Sequence, residues 1–222
     1  MKRQLLSVLA LAAMSVTAAK ADLFTFHVDL NLSSLAADQS QGPYALDLQF
    51  ISGNQTNGQT NNVTFSNFVF SGNSASYGGS ATLTGSATGS LANSVVLTSG
   101  TNALNELQQA ITAGVTDIQF NVSTTRNFFA NGSPDSLYVT IDDSTGVPIF
   151  TTEPGNAANL LDLNIGAANQ LSDISTYSSV APSTTGVTAS VSAVPEPSSY
   201  GLLGAGALAA ASFVRRRRAK IA

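Results

Sequence analysis

The feature that most constrains this chain is a strict alternation of apolar and polar residues that recurs along its central part. In the first such stretch, residues 23–32, the alternating residues from Phe24 to Leu32 are apolar, and Thr25, His27, Asp29 and Asn31 lie between them. A period of two places alternate side chains on opposite faces of an extended chain. The stretch therefore predicts a β-strand that is buried on one face.

The same alternation returns several times, and segments rich in Gly, Asn, Ser and Thr separate the repeats. Short strands at regular spacing with turn signals between them are typical of antiparallel sandwiches and barrels. We therefore predict a mainly β fold, a single antiparallel β-sandwich that is jelly-roll-like, in residues 22–171. The predicted strands are residues 23–32, 44–51, 63–70, 81–84, 90–98, 118–122, 137–141, 147–152 and 161–165.

Two segments depart from the simple alternation. The apolar positions change parity between Phe65 and Phe68, which predicts a β-bulge near Ser66 and Asn67. In residues 102–113, apolar residues fall at the spacing of a helical face, and a glycine follows. This pattern predicts the one short helix of the body.

The N-terminus has the three parts of a secretory signal peptide. Lys2 and Arg3 form the basic start, residues 5–16 form a short apolar stretch, and Ala19 and Ala21 complete a small-x-small cleavage site. We expect export through the Sec translocon and cleavage after Ala21. An uncleaved N-terminal anchor is the alternative.

The last 29 residues combine a carboxylate between two prolines, an uncharged apolar segment and a basic cluster. The prolines keep Pro195-Glu196-Pro197 out of helix and sheet. Residues 198–214 would span roughly 25 Å as a helix, at the short end for crossing a bilayer core of ~30 Å. A basic cluster after such a transmembrane helix holds that end in the cytoplasm. The cluster is Arg215, Arg216, Arg217 and Arg218.

This order of features resembles the PEP-CTERM sorting signal of Gram-negative bacteria. The resemblance implies that a membrane peptidase, exosortase, recognises the tail, cuts it near Pro-Glu-Pro and passes the protein to the cell surface. Before processing, the tail would hold the body in the periplasm at the inner membrane. The resemblance also implies an extracellular-matrix, biofilm or exopolysaccharide-associated system. An ordinary membrane anchor that no peptidase processes is the alternative.

The body resembles, more loosely, one subfamily of PEP-CTERM proteins that has no assigned activity. The similar segments are the opening strand, Tyr44–Phe50, Asn105-Glu106-Leu107 and Leu161-Asp162-Leu163. Between body and sorting signal, residues 172–193 are dominated by Ser, Thr, Ala and Val, which predicts an extended linker. The sorting signal then occupies residues 194–222.

The charge distribution excludes one class of partner. Between Asp22 and Val194 the chain has twelve Asp and Glu against the single Arg126, a net charge of −11. Nucleic acid is therefore not an expected partner, because binding phosphates requires a basic surface. Calcium or a neutral glycan remains compatible with this charge.

The residue inventory also restricts catalysis. With no cysteine and one histidine, Cys-His catalysis and multi-histidine metal sites are excluded. His27 lies on the polar face of its strand, where we predict a surface or hydrogen-bonded histidine, and no Gly-x-Ser-x-Gly segment supplies a nucleophile. Asp142 and Asp143 could act as paired carboxylates on a glycoside, but adjacent residues at a strand end point to opposite sides, so we favour a polar turn.

Three loop carboxylates, Asp135, Asp142 and Asp143, are the calcium candidates, because oxygen ligands from loops could converge there. Phe128-Phe129 beside Arg126 could form a contact site, although packing beneath that loop is the preferred interpretation. No catalytic residue is predicted, and no cofactor is expected apart from this calcium alternative. We expect a non-enzymatic exported protein; a glycan-binding module and a carbohydrate-active enzyme are the alternatives.

Overall fold

The computed structural model describes residues 23–40, 42–53, 60–73, 76–125, 127, 133–155, 157–165, 171–182 and 185–194. These residues form two packed antiparallel sheets, a β-sandwich as predicted, with one short helix, α1 (Ser33–Ala37). The strands are β1 (Phe24–Asn31), β2 (Ala45–Ile51), β3 (Asn62–Gly72), β4 (Thr82–Thr84), β5 (Thr88–Gly89), β6 (Ser94–Thr98), β7 (Leu104–Ala110), β8 (Val115–Thr124), β9 (Asp135–Asp142), β10 (Leu161–Ile165), β11 (Ile174–Thr176) and β12 (Thr188–Ala193).

Each sheet has six strands. Sheet A has the order β12-β1-β8-β3-β6-β5, and sheet B has the order β11-β10-β9-β2-β7-β4. The alternate apolar residues seen in the sequence fill the space between the sheets, where Phe26, Phe65 and Phe120 from sheet A and Leu48 and Phe50 from sheet B are fully buried. Burying one such side chain contributes about 1.5–3 kcal/mol, so the alternation itself is the main source of stability.

The predicted bulge in β3 is confirmed. The pairing of β3 with β8 shifts register between Ser66 and Val69, and Asn67 has a φ of 57°. The left-handed conformation at Asn67 inserts the extra residue, since asparagine tolerates this region better than most side chains. The parity of the buried side chains therefore changes where the sequence indicated.

The helix predicted over residues 102–113 is wrong, because this segment forms β7 between β2 and β4. Asn105, Leu107 and Gln109 face the core, so two polar residues interrupt the apolar alternation. Their amides bond to backbone: Asn105 Oδ1 accepts from Ser86 N at 2.8 Å, and Gln109 Oε1 accepts from Leu91 N at 3.1 Å. Hydrogen bonding of the buried amides is what permits them in a strand.

The linker predicted over residues 172–193 is also wrong, and the sandwich continues to Ala193. Strand β11 pairs with β10, and β12 pairs with β1 over six residues from Phe26↔Ala193 to Asn31↔Thr188. Ile174 and Val187 are buried in the core. Edge strands of small Ser, Thr and Ala residues lack a strong apolar alternation, which explains the error.

The strand predicted over residues 147–152 does not form, since Pro148 and Thr151 make only isolated bridges with Asp142 and Ser179. The expected helices at the two ends of the chain, including the predicted transmembrane segment at 198–214, lie outside the described residues.

Candidate functional site

The residues of the predicted sorting signal and of the signal-peptide cleavage site lie outside the part of the chain that the structure describes. They are Ala19, Ala21, Pro195, Glu196, Pro197, Arg215, Arg216, Arg217 and Arg218. The same is true of Arg126, Phe128 and Phe129. Among the described residues, no helix has both the length and the apolar character needed to cross a membrane. What the structure does show is that β12 ends at Ala193, two residues before Pro195.

Asp135 ties together two loops at one end of the sandwich. It is buried at the start of β9; its Oδ1 accepts from Gly53 N at 2.7 Å, and its Oδ2 accepts from Asn61 Nδ2 at 2.9 Å. Asn61 in turn binds the backbone of Asn127 through both ends of its side-chain amide: Nδ2 donates to Asn127 O, and Oδ1 accepts from Asn127 N. Asp135 therefore joins the start of sheet A's β3 to the loop that follows β2.

Asp143 closes a turn, as predicted for this polar segment. Its Oδ1 accepts hydrogen bonds from the Thr145 hydroxyl at 2.6 Å, from Thr145 N at 2.8 Å and from Val147 N at 3.1 Å. The Thr145 hydroxyl bond is the largest cause that lowers the pKa of Asp143 below its ordinary value, because it favours the ionised carboxylate.

The predicted convergence of Asp135, Asp142 and Asp143 on one calcium ion is wrong. Asp135 begins β9 and Asp142 ends it, and eight residues of strand extend roughly 25 Å. The carboxylates therefore lie at opposite ends of the sandwich. Within the described ranges, no group of three or more His, Asp or Glu side chains is placed to hold a metal ion.

Three carboxylates gather instead on the outer face of sheet B, and we call Asp47, Glu106 and Asp142 the carboxylate cluster. The register brings them together, because Asp47 on β2 lies opposite Thr140 on β9 and Gln108 on β7. Asp47 is only 1% exposed and Asp142 only 3%, although they are on the outer side of the sheet.

Neutral side chains provide most of the hydrogen bonds to the cluster. Gln49 Nε2 donates to Asp47 Oδ2 at 2.5 Å, and Gln108 Nε2 donates to Asp142 Oδ2 at 2.5 Å. The Thr140 hydroxyl lies 3.4 Å from Asp47 Oδ2 and 3.2 Å from Asp142 Oδ1, and its single proton can serve only one of them. Asp47 Oδ1 is buried with no partner in the described structure.

Burial controls how the cluster ionises, because the described residues include no Lys or Arg that could offset it. Desolvation is the largest cause that raises the pKa of Asp47 to about 8, and the charges of Glu106 and Asp142 add to it. Burial also raises the pKa of Asp142, against the hydrogen bonds from Gln108 and Thr140. Asp47 therefore stays protonated to a higher pH than an ordinary aspartate does.

A similar but smaller arrangement lies on the outer face of sheet A. Burial and the neighbouring Asp29 raise the pKa of Asp117 to about 6. His27, on the same face, contacts Asn121 Oδ1 through Nδ1 at 2.9 Å. His27 is thus the hydrogen-bonded strand histidine that the sequence predicted.

The shape of the surface near the cluster is open. A shallow depression, lined in part by Tyr44, Ser80, Gln108 and Asp143, shares only Gln108 with the side chains that contact the cluster. Because Asp47 is almost wholly buried, proton exchange, and not contact with a substrate, is the chemistry that its position allows.

Sequence reasoning did not find this cluster. Asp47, Glu106 and Gln108 each occupy a polar position of an alternating segment, which is the expected place for a solvated side chain. Only the pairing of β2 with both β7 and β9 shows that residues from three distant segments share one surface.

The comparison with known families concerns the C-terminal tail. The family model described as the PEP-CTERM protein-sorting motif matches residues 193–218. The chain therefore carries a PEP-CTERM sorting motif after the sandwich, and the motif implies exosortase processing, export and targeting to the cell surface. No curated protein and no solved structure matches the chain significantly.

Proposed function

We propose that this protein is a non-enzymatic structural component of the cell surface, delivered there by exosortase after transient anchoring in the inner membrane. The observation that carries the proposal is the position of the sorting motif, which starts at Ala193, the last residue of β12. A complete sandwich is thus joined directly to a sorting signal, with no further described domain between them.

The proposed route has three steps. The signal peptide, residues 1–21, directs the chain to the Sec translocon. Residues 198–214 then stop in the inner membrane with the body in the periplasm, and the four arginines hold the tail in the cytoplasm. Exosortase removes the tail near Pro-Glu-Pro, and the sandwich joins an exopolysaccharide-associated matrix.

The non-enzymatic part of the proposal is supported by how the sandwich uses its acidic residues. Asp143 binds the backbone of its own turn, and Asp135 joins loops of the two sheets. Asp47 is buried beneath neighbours on its own sheet face. These three carboxylates therefore have structural roles in the fold.

The test changes Pro195, Glu196 and Pro197 to Ala in the full chain. Membrane insertion should persist, since the three residues contribute neither apolar length nor flanking basic charge. Tail removal should stop, and the full-length protein should remain in the inner membrane. Fractionation and size on a gel, in hosts with and without exosortase, measure both effects.

The matched control changes Ser190 and Ser192 to Ala, because both are exposed on β12 just before the motif. The control protein should mature like the parent. Neutral residues in place of Arg215 to Arg218 should act differently and loosen the orientation of the tail. If the triple-alanine protein matures and reaches the surface like the parent, the sorting mechanism is wrong and the tail is a plain anchor.

A further inference from the structure

The first and last strands of the sandwich meet at one end of the molecule. Strands β1 and β12 are antiparallel neighbours, and Phe26, near the start of β1, lies opposite Ala193, the end of β12. The chain therefore enters the body and leaves it at the same place. We call this the terminal end of the sandwich.

Further strands of both sheets begin or end at the terminal end. Phe24 and Val63 both lie opposite Thr124, so β3 begins where β1 begins and β8 ends. Asn61, just before β3, donates to Asp135 at the start of β9, and Asp135 accepts from Gly53 just after β2. The terminal end is thus formed by the starts of β1, β3 and β9 and by the ends of β2, β8 and β12.

The chain that leaves the terminal end is short. Four residues, Val194 to Pro197, separate β12 from the apolar segment that begins at Ser198. Fully extended, four residues reach roughly 14 Å. If residues 198–214 lie in the bilayer, as the proposed function requires, the body cannot move farther than this from the membrane surface.

From this geometry we propose that the terminal end of the sandwich rests against the periplasmic surface of the bilayer while the tail is attached. Leu23 and Ile51, which are 42% and 40% exposed, lie at this end and offer apolar contacts to the interface. Exosortase then meets Pro-Glu-Pro in a narrow gap between the bilayer and the sandwich. Removal of the tail then releases the protein from the membrane and ends the contact between the terminal end and the bilayer.

The short connection between β12 and the apolar segment, and not exposed apolar residues alone, determines which end of the sandwich faces the bilayer. Val147 is 51% exposed, but it follows β9 and therefore lies at the opposite end. Strand β9 alone separates the two ends by roughly 25 Å. Val147 is thus a matched control, an exposed aliphatic residue that the tether keeps away from the membrane.

The absence of cysteine from the sequence makes the experiment direct. Residues 22–222, without the signal peptide and with the tail uncleaved, carry Ile51→Cys or Val147→Cys labelled with bimane. The protein is placed in vesicles of phosphatidylcholine and phosphatidylglycerol that contain headgroup nitroxide lipid. We expect several-fold stronger quenching at position 51 than at position 147. Equal quenching, or stronger quenching at 147, would overturn the proposed orientation.

A second variant tests the tether. About twenty Gly and Ser residues inserted between Val194 and Pro195 add a mean span of roughly 25 Å. Quenching at position 51 should then fall to the level at position 147, and quenching that persists would contradict the tether argument. Flotation of the vesicles distinguishes the membrane-spanning tail from the orientation of the sandwich. Protein that does not float with the vesicles refutes both hypotheses. Protein that floats but shows equal quenching at positions 51 and 147 refutes the orientation alone.

Discussion

The buried Asp47 makes a specific prediction about how stability depends on pH. Its pKa is raised from 3.8 to about 8 in the folded state, so the folded protein keeps this proton over a range where the unfolded chain loses it. The folded state therefore binds more protons than the unfolded state between about pH 4 and pH 8, and stability must fall as pH rises through this range. Below about pH 4 Asp47 is protonated in both the folded and the unfolded state, so its burial no longer lowers the free energy of unfolding.

Asp47→Asn should remove this cost, because asparagine resembles the protonated acid and cannot ionise. One pKa unit corresponds to about 1.4 kcal/mol, so three units from pH 4 to pH 7 correspond to about 4 kcal/mol. We expect about 2–4 kcal/mol, since coupling to Glu106 and Asp142 spreads the titration over the cluster. The variant should match the parent near pH 4 and exceed its free energy of unfolding at pH 7.

The assay is urea unfolding of residues 22–194, followed by circular dichroism from pH 4 to pH 8. Asp117, whose pKa is also raised, is present in both proteins, so its contribution largely cancels in the difference. A difference between the two proteins that does not change with pH would show that Asp47 is ionised in the folded state. The argument from burial would then be wrong.

Asp143→Asn is the matched control, and its effect on stability should change with pH in the opposite direction. Hydrogen bonds from Thr145 and Val147 lower the pKa of Asp143, so its carboxylate stabilises the folded state above the ordinary pKa of aspartate and this contribution is lost in acid. Measured from strongly acidic pH upward, this variant should lose stability relative to the parent as pH rises to about pH 4 and keep a constant difference above it. Asp47→Asn should instead gain stability relative to the parent between about pH 4 and pH 8.

Two further predictions test the corrected strand assignments. A fragment of residues 22–194 should fold to a β-rich protein that reductant does not affect. A fragment of residues 22–172, which lacks β11 and β12, should not unfold cooperatively. If the shorter fragment were equally stable, the placement of β12 would be wrong. Asn105→Ala should cost about 2–3 kcal/mol, because it removes a fully buried amide and leaves the part-buried Ser86 N without its acceptor. Asn102→Ala at an exposed position should cost much less. Urea unfolding measures both values, and equal costs would contradict the inward orientation of Asn105.

The strands that the sequence predicted well are those in which apolar residues alone fill the inner face. Strand β10 has the predicted limits, and the bulge near Asn67 follows from a change of parity among aromatic residues. Strand β7 differs because Asn105 and Gln109 occupy inner positions, where hydrogen bonds to distant backbone groups replace apolar contact. Those partners are remote in sequence, so local periodicity could not reveal them.

The carboxylate cluster was unpredictable for a related reason. An aspartate at a polar position of an alternating strand predicts a solvated side chain. Asp47 differs because β2 lies inside sheet B between β7 and β9, with Gln49, Gln108 and Thr140 beside it. The position of a strand within its sheet, and not its own sequence, decides whether an outward carboxylate meets water.

Strand β12 links the fold to the sorting signal. All the strands of the described sandwich precede Pro195, so removing the chain from Pro195 onward takes away none of the pairing between β12 and β1. Proline cannot donate to a sheet, and the residue before it is restricted, so Pro195 also limits how far β12 can extend. From the chemistry of its two prolines we expect the tripeptide to stay out of the sheet, so that a peptidase could act on it without first unfolding the body. Folding and processing are compatible because the last strand ends immediately before the first proline.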